Sequence, residues 1–270
     1  MGDVPDLKKS LDLSALTGRS VLITGGASGI GALIATTCLE HGARVTIADV
    51  NEQQGKAFAK DMELRGLSVN VVATDVTQWA SQVQAFKSAI AFSGSNSIDI
   101  VVAAAGLGGA DFISPEEMAP TLHSDPPEPR HVGPTLDVNI KGVYFTSKLA
   151  QHYFALPPAS SDTIKKAPKK SLVVISSLAG YLPLNATDYT ASKWAVRGLF
   201  RSIRSRMEDL GYRVNLIAPW VMDTPMSKGL ADTCRQHGFP VGDVRDVSDA
   251  VIRCALDDSI CGALALASPA

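Results

Sequence analysis

Tyr189 and Lys193 lie four positions apart in the segment Tyr189-Thr190-Ala191-Ser192-Lys193. The surrounding residues favour a helix, and residues at this spacing share one helix face, so the phenol and the ammonium can reach one site. A phenol is a weak base at neutral pH, and a neighbouring cation that stabilises the phenolate makes it useful in proton transfer. The same spacing also arises by chance in many helices, so the acid/base interpretation depends on the rest of the sequence.

A glycine-rich segment, Thr24-Gly25-Gly26-Ala27-Ser28-Gly29-Ile30-Gly31, directly follows the apolar run Val21 to Ile23. In a phosphate-binding turn, the first glycine permits the tight bend, the second lets the backbone approach a pyrophosphate, and the third lets helix and strand pack closely. The free N–H groups at the start of the helix then bind phosphate oxygens. An ordinary strand-to-helix connection is the alternative. We predict dinucleotide contacts from Gly25, Ser28, Gly29, Ile30 and Gly31.

Asp49 ends the second predicted strand, about twenty residues beyond the turn. A carboxylate at this position accepts hydrogen bonds from the adenosine ribose hydroxyls and repels a 2′-phosphate. Neither the turn nor the residues after Asp49 supply the arginine that a 2′-phosphate usually meets. The sequence therefore predicts NAD (NADH) rather than NADP as the cofactor, with a solvated strand-end aspartate as the alternative. Asp75 and Val76, at the end of the third strand, are predicted to contact adenine.

Short apolar runs alternate with longer segments of helical period along the chain. Runs that are apolar on both faces are typical of a parallel sheet covered by helices on both sides, and right-handed crossovers then give a doubly wound sheet. We predict one α/β Rossmann domain, residues 1–270, with a seven-stranded parallel sheet. The predicted strands are Val21–Ile23, Val45–Ala48, Val69–Ala73, Ile98–Ala105, Leu172–Ile175, Val214–Ile217 and Ala263–Ala267, and the predicted helices are Gly29–His41, Glu52–Arg65, Gln78–Phe92, Thr135–Phe154, Ala186–Leu210 and Val247–Leu256.

Composition argues against several classes of partner. The formal net charge is −2 and no block of like charge dominates, so neither nucleic acid nor an anionic membrane is an expected partner. The four cysteines form no CxxC pair and the five histidines show no metal-ligand spacing, so neither disulfides nor a metal site is predicted. Residues 1–15 form an N-terminal extension that lacks an apolar core, so we expect a cytoplasmic protein.

Three irregular stretches interrupt the pattern. Ser114–Pro134 and Pro157–Lys170 are rich in proline or polar residues and predict surface insertions. The lysine cluster of the second could bind a partner, although a solvated loop is favoured. Residues 219–240 follow the sixth strand at the carboxyl edge of the sheet, where ligands bind, and predict a substrate-binding lid. Its apolar side chains, Met222, Met226, Leu230 and Phe239, favour a small hydrophobic alcohol or ketone as substrate.

Together these motifs resemble the short-chain dehydrogenase/reductase family. The resemblance rests on TGGASGIG at 24–31, Asp49, Asn139 in VNIKG, ISSLAG at 175–180 and the Tyr189/Lys193 pair, and it covers about Leu16 to Ala267. The chain is also similar to fungal NAD-dependent members that act in secondary metabolism on hydroxylated polyketides, and to the hydroxyprostaglandin dehydrogenase branch. The resemblance implies an NAD(H)-dependent oxidoreductase that interconverts a secondary alcohol and a ketone.

The resemblance also implies a role for each matching residue. Tyr189 would be the general acid in reduction and the base in oxidation, while Lys193 would hold the nicotinamide ribose and stabilise the tyrosinate. Ser177 would hydrogen-bond the reacting oxygen, with Ser176 as the alternative. Asn139 would kink its helix and anchor a water that carries the proton from Lys193 towards solvent, and a helix-packing asparagine is the alternative.

Two segments depart from the family pattern. Ala103-Ala104-Ala105-Gly106 replaces the frequent Asn-Asn-Ala-Gly and lacks its two amides, which puts local rigidity in doubt. The backbone of Ala103 is still expected to contact the cofactor. Pro219-Trp220 replaces the usual Pro-Gly, and the tryptophan either lines the pocket or packs at the surface. The Val221 backbone and the Thr224 hydroxyl are expected to bind the nicotinamide carboxamide.

A protein that binds the cofactor for a non-redox or regulatory role is the competing interpretation. The complete set of acid/base residues favours an enzyme, because a protein freed from catalysis has no chemical reason to keep it. The resemblance further implies a homodimer or homotetramer that packs through the helices beginning near Thr135 and Ala186.

Overall fold

The computed structural model describes residues 11–111, 122, 123, 125, 128, 132–157, 169–183, 186–262 and 264–267. Seven strands form one parallel sheet in the order β3-β2-β1-β4-β5-β6-β7, which confirms the predicted doubly wound Rossmann architecture. The strands are β1 (Ser20–Thr24), β2 (Arg44–Asp49), β3 (Val69–Ala73), β4 (Ile100–Ala103), β5 (Ser171–Ile175), β6 (Arg213–Pro219) and β7 (Leu264–Ala267).

Helices connect the strands. They are α1 (Gly29–Glu40), α2 (Glu52–Leu64), α3 (Trp79–Ser93), α4 (Val132–Leu136), α5 (Val143–Phe154), α6 (Thr187–Asp209), α7 (Lys228–Gln236) and α8 (Val244–Leu256). Between α4 and α5 the backbone is π-helical over Asp137–Gly142, and Leu13–Leu16 and Leu178–Gly180 form 3₁₀ turns. Among the described residues, no helix has the length and apolarity needed to cross a bilayer.

Both faces of the sheet are buried. Val21 and Ile23 of β1 pack with Ile34 of α1 in one cluster, whereas the intervening Leu22 packs with Phe86 of α3 in the other. Successive strand residues point to opposite faces, so a strand covered on both sides must be apolar throughout. This explains why the strands were recognisable as continuous apolar runs rather than alternating ones.

The structure differs from the prediction most in three places. The strand predicted over Ile98–Ala105 spans only Ile100–Ala103, because the chain leaves the sheet there to form the edge of a crevice. The helix predicted over Thr135–Phe154 is interrupted by the π-helical segment. A short helix, α7, lies within the predicted lid.

The predicted extension and insertions fall largely outside the described residues, including residues 1–10, most of Ser114–Pro134 and most of Pro157–Lys170. The described part of the extension leads into the turn Leu13–Leu16, and Leu16, the last residue of this turn, is buried in the first core cluster.

The strand order reverses between β1 and β4, which are adjacent but lead to helices on opposite sides. In an open parallel sheet such a reversal leaves a crevice above the carboxyl ends of the two strands. The glycine-rich turn follows β1 and the Ala103-Ala104-Ala105-Gly106 segment ends β4, so both predicted motifs reach this crevice.

Candidate active site

Two adjoining cavities occupy the crevice. The glycine-loop cavity, about 590 Å³, is lined by the turn after β1 together with Asp49, Asp75 and Val76. The tyrosine cavity, about 300 Å³, is lined by residues that include Ser177, Tyr189 and Lys193. Five residues line both cavities and form their common wall: Ile30, Ala104, Gly106, Thr224 and Met226.

The glycines of the turn are required by close backbone packing. Gly25 has a φ of +68°, and a Cβ there would lie 2.7 Å from the Cα of Ala105. A Cβ at Gly31 would collide with the carbonyl oxygen of Gly25. Any side chain would therefore separate α1 from the turn or the turn from the loop after β4.

The first turn of α1 borders the glycine-loop cavity through Ser28, Gly29, Ile30 and Gly31. Backbone N–H groups in a first helical turn lack partners within the helix and carry the positive end of its dipole, so they can bind phosphate oxygens. Ser28 is extended (φ −151°), and its side chain makes no capping hydrogen bond. The glycine-rich turn and the first turn of α1, which together form the dinucleotide cradle, therefore fit a pyrophosphate.

Asp49 lines the same cavity, outside the wall that the two cavities share. Its two carboxylate oxygens accept the N–H groups of Ala27 and Asn51, each at 3.0 Å, so the carboxylate is fixed towards the turn. Asp75 is held similarly, through the Thr77 N–H at 2.8 Å. Among the lining residues that the structure describes, none is a lysine or an arginine. This end of the cavity is thus suited to hydroxyl groups rather than to an additional phosphate.

Tyr189 and Lys193 face the tyrosine cavity from one side of α6. The Lys193 Nζ lies 5.3 Å from the centre of the Tyr189 ring, and only 5% of the lysine is exposed. The ammonium donates a long hydrogen bond, 3.4 Å, to the carbonyl of Ile175 at the end of β5. The cation is therefore held beside the phenol, as the spacing predicted.

The two serines after β5 differ in their hydrogen bonds. The Ser177 Oγ accepts the Ala179 N–H at 3.1 Å, which leaves the hydroxyl proton for a ligand oxygen in the cavity. Ser176 is buried, and its hydroxyl donates to the Lys193 carbonyl at 3.4 Å. The geometry favours Ser177 over Ser176 as the hydrogen-bond donor to a ligand.

Asn139 is fully buried in the π-helical segment. Its side-chain oxygen accepts the Leu107 N–H at 2.8 Å, and its side-chain nitrogen donates to the Leu107 carbonyl at 3.0 Å and to the Ser192 hydroxyl at 3.0 Å. One amide thus fixes both polar groups of Leu107 and joins the loop after β4 to α6. The π-helical turn is a local widening of the kind often found at functional sites.

Of the remaining predicted residues, some line the tyrosine cavity and one, Ala103, lines neither cavity. Val221 and Thr224 line the tyrosine cavity, and Trp220 lines it as well, while its indole N–H donates to the Pro240 carbonyl at 2.9 Å. Ala103 is the last residue of β4, only 1% exposed, and it lines neither cavity. The next three residues of the segment, Ala104, Ala105 and Gly106, do line the cavities, so the segment can touch a ligand through them rather than through Ala103.

Asp188 was not predicted, yet it lies directly before Tyr189 and is 6% exposed. Its Oδ1 accepts the Ala110 N–H at 2.9 Å and the Tyr189 N–H at 2.7 Å. Its buried Oδ2 has no hydrogen-bond partner among the described residues. The carboxylate also lies against Gly109, where a Cβ would collide with the Asp188 Oδ1. Asp188 therefore docks the loop after β4 onto the start of α6.

The chain is similar to known proteins of one family. The family model described as short chain dehydrogenase matches residues 19–235. The 5′-hydroxyaverantin dehydrogenase of Dothistroma septosporum is 39% identical over 268 residues, covering 95% of this chain and 86% of that protein. The NADP-dependent dehydrogenase clz5 of Cochliobolus lunatus is 34% identical over 264 residues, covering 93% of this chain and 89% of that protein.

Solved structures of low sequence identity share the fold. The crystal structure of gox2181 aligns with a TM-score of 0.77 at 24% identity, covering 94% of this chain and 96% of that chain. The 3-ketoacyl-(acyl-carrier-protein) reductase from Brucella melitensis, complexed with NADH, aligns with a TM-score of 0.74 at 22% identity, covering 93% and 97%.

A Gly31→Ala substitution tests the cradle. The added methyl group must push α1 away from the Gly25 carbonyl, so we expect dinucleotide affinity to fall by about a hundredfold or more, as measured by NADH titration. Gly198→Ala is the matched control, because a Cβ at this α6 position has no atom within 4 Å. Equal affinities for the two variants would contradict the packing argument.

Asp188→Ala and Asp188→Asn test the docking of the loop. The alanine variant removes the acceptor of the Ala110 N–H, so exchange of that amide with deuterium, followed by NMR, should accelerate by about tenfold or more. The asparagine variant retains an oxygen at Oδ1 and should exchange within about threefold of the wild type. Unchanged exchange in the alanine variant would show that Asp188 does not hold the loop.

Proposed function

Because the chain belongs to the short-chain dehydrogenase family, we propose that it interconverts a secondary alcohol and a ketone with NAD(H). Enzymes of this family are oxidoreductases that act on CH–OH groups with NAD(P). The substrate that we propose is apolar and polyketide-like. The observation that carries the proposal is the meeting of the two cavities. A dinucleotide cradle with Asp49 at one end opens, across a shared wall, onto Ser177, Tyr189 and Lys193.

The acid/base step uses the residues of the tyrosine cavity. A bound nicotinamide supplies the hydride acceptor for oxidation and the hydride donor for reduction. In oxidation Tyr189, as phenolate, takes the hydroxyl proton of the alcohol, while the Lys193 ammonium stabilises the phenolate charge. The Ser177 hydroxyl donates to the reacting oxygen and fixes its position. In reduction the same proton returns from Tyr189 to the substrate oxygen.

Asn139 and Gly106 support a route for the proton to solvent. A Cβ placed at Gly106 would lie 3.4 Å from the Asn139 side-chain oxygen and 3.8 Å from the Lys193 Nζ. The glycine therefore leaves the region between the amide and the ammonium free of a side chain, and the two polar groups that face it are ones to which a water molecule can hydrogen-bond. Such a water would relay the proton that Lys193 exchanges with the site.

Asp49 supports NAD over NADP. A 2′-phosphate on the adenosine ribose would bring negative charge to a fixed carboxylate, with no basic side chain among the described lining residues to compensate. Some relatives, such as the clz5 protein, carry the name NADP-dependent, so the preference proposed for this chain depends on its own cavity rather than on theirs.

The lining of the tyrosine cavity supports an uncharged, apolar substrate. Leu178, Trp220, Met222, Met226 and Leu230 contribute its apolar surface. Lys193 is the single charged side chain among the described lining residues, and its ammonium lies beside the Tyr189 ring and donates to the Ile175 carbonyl. Relatives named for 5′-hydroxyaverantin, from Dothistroma septosporum and Emericella nidulans, support a hydroxylated polyketide of this type as the substrate.

We further propose a homodimer or homotetramer that packs through the α4–α5 and α6 helices. Tyr144 on α5 and Trp194 on α6 are 56% and 47% exposed. Large aromatic side chains exposed on adjacent helices are typical of surfaces that another subunit covers.

Tyr189→Phe tests the acid/base assignment. The phenylalanine keeps the ring but has no proton to give or take, so kcat for oxidation of an aromatic secondary alcohol should fall by about a hundredfold or more while NADH still binds. Tyr212→Phe, which removes the phenolic hydroxyl of a residue that lines neither cavity, should retain wild-type kcat. If Tyr189→Phe also retains it, another group performs the proton transfer.

Asp49→Asn tests the cofactor preference. The substitution removes the charge but keeps an oxygen for the Ala27 N–H, so the ratio of NADPH to NADH affinity should rise by about tenfold. Glu52→Gln serves as the control, because that nearby carboxylate pairs with Lys56 and does not line the cavity. Equal ratios in wild type and Asp49→Asn would show that Asp49 does not select the cofactor.

A further inference from the structure

Two hydroxyl groups that contact each other lie at the wall that the two cavities share. The hydroxyl oxygens of Thr224 and Ser227 are 2.7 Å apart, and the Ser227 hydroxyl is 2.6 Å from the Met222 carbonyl oxygen. Thr224 lines both cavities and Ser227 lines the tyrosine cavity. Neither the sequence motifs nor the acid/base step gives Ser227 a role.

The direction of these hydrogen bonds follows from counting protons. A carbonyl oxygen can only accept, so the Ser227 hydroxyl donates its single proton to Met222. Ser227 therefore has no proton left for its contact with Thr224, and the Thr224 hydroxyl must be the donor there. With its own proton committed, the Thr224 oxygen offers only lone pairs to a ligand.

We propose that Ser227 is a positioning residue that fixes the Thr224 hydroxyl as a hydrogen-bond acceptor, so that the site selects the amino side of the nicotinamide carboxamide. This rests on the proposed function, in which the nicotinamide lies where the two cavities meet. A carboxamide has one side that donates and one that accepts. An acceptor-only Thr224 stabilises the orientation of the carboxamide that turns its amino group towards the Thr224 oxygen.

The backbone around these residues holds its shape without the Ser227 hydroxyl. Thr224 and Ser227 donate their N–H groups to the carbonyls of Met222 and Thr224, both at 3.1 Å, and Ala231 donates to the Ser227 carbonyl at 2.8 Å. Removing the Ser227 hydroxyl should therefore release the Thr224 proton while leaving the turn folded.

The test compares the binding of NADH with that of its acetylpyridine analogue, in which a methyl group replaces the carboxamide amino group. Calorimetric titration gives both dissociation constants for wild type, Ser227→Ala, Ser227→Thr and Thr224→Val. The wild type should bind NADH about tenfold more tightly than the analogue, because the analogue cannot donate to Thr224. Ser227→Thr keeps a hydroxyl and should keep that ratio.

Ser227→Ala frees the Thr224 proton, so Thr224 can donate to the acetyl carbonyl and the ratio should fall to within about threefold of unity. Thr224→Val removes the hydroxyl with little change in shape and should lower the ratio likewise, which provides a second test if Ser227→Ala does not fold. A wild-type ratio near unity, or a ratio unchanged in either variant, would overturn the proposal. Failure of the wild type to bind NADH at all would instead overturn the proposed function.

Discussion

The loop after β4 is the part of the molecule on which both cavities depend. Residues 104–110 of this loop supply Ala104 and Gly106 to the common wall, and these seven residues, alanine, glycine and one leucine, have no polar side chain to hold them in place. Buried polar groups from other elements hold its backbone instead: Asn139 binds both polar groups of Leu107, and Asp188 binds the N–H of Ala110. Polar groups buried in this way are costly to leave unpaired, so the loop has one strongly favoured position.

This arrangement explains how the loop can be rigid although Ala103 and Ala104 replace the two asparagines that the family often has at these positions. Rigidity that those amides would supply from within the loop comes here from the π-helical segment and from the start of α6. Because α6 also carries Tyr189 and Lys193, the contacts that fix the loop also fix these two side chains relative to the glycine-rich turn. One set of contacts thus sets the distance between the tyrosine cavity and the glycine-loop cavity.

Much of the architecture could be predicted from the sequence, because the relevant signals are local. Strands buried on both faces read as apolar runs, Gly31 is required by the carbonyl of Gly25 six residues earlier, and Tyr189 and Lys193 share a helix face through their spacing. The role of Asp188 could not be predicted, since its partner Ala110 is 78 residues away. The early end of β4 could not be predicted either, because apolar Ala104 and Ala105 look like strand residues until the neighbouring cavities are seen. The direction of the Thr224 hydroxyl depends on an acceptor that no sequence pattern marks.

The transfer of deuterium between substrate and cofactor tests the central claim most directly. The protein is incubated with NAD⁺ and a naphthyl methyl carbinol that carries deuterium on the carbinol carbon, and the NADH formed is analysed by mass spectrometry and NMR. If the two cavities bring substrate and nicotinamide together as proposed, the deuterium will be found at C4 of the nicotinamide ring, on one face only. NADH without deuterium, or binding of both ligands without any NADH formed, would contradict the account.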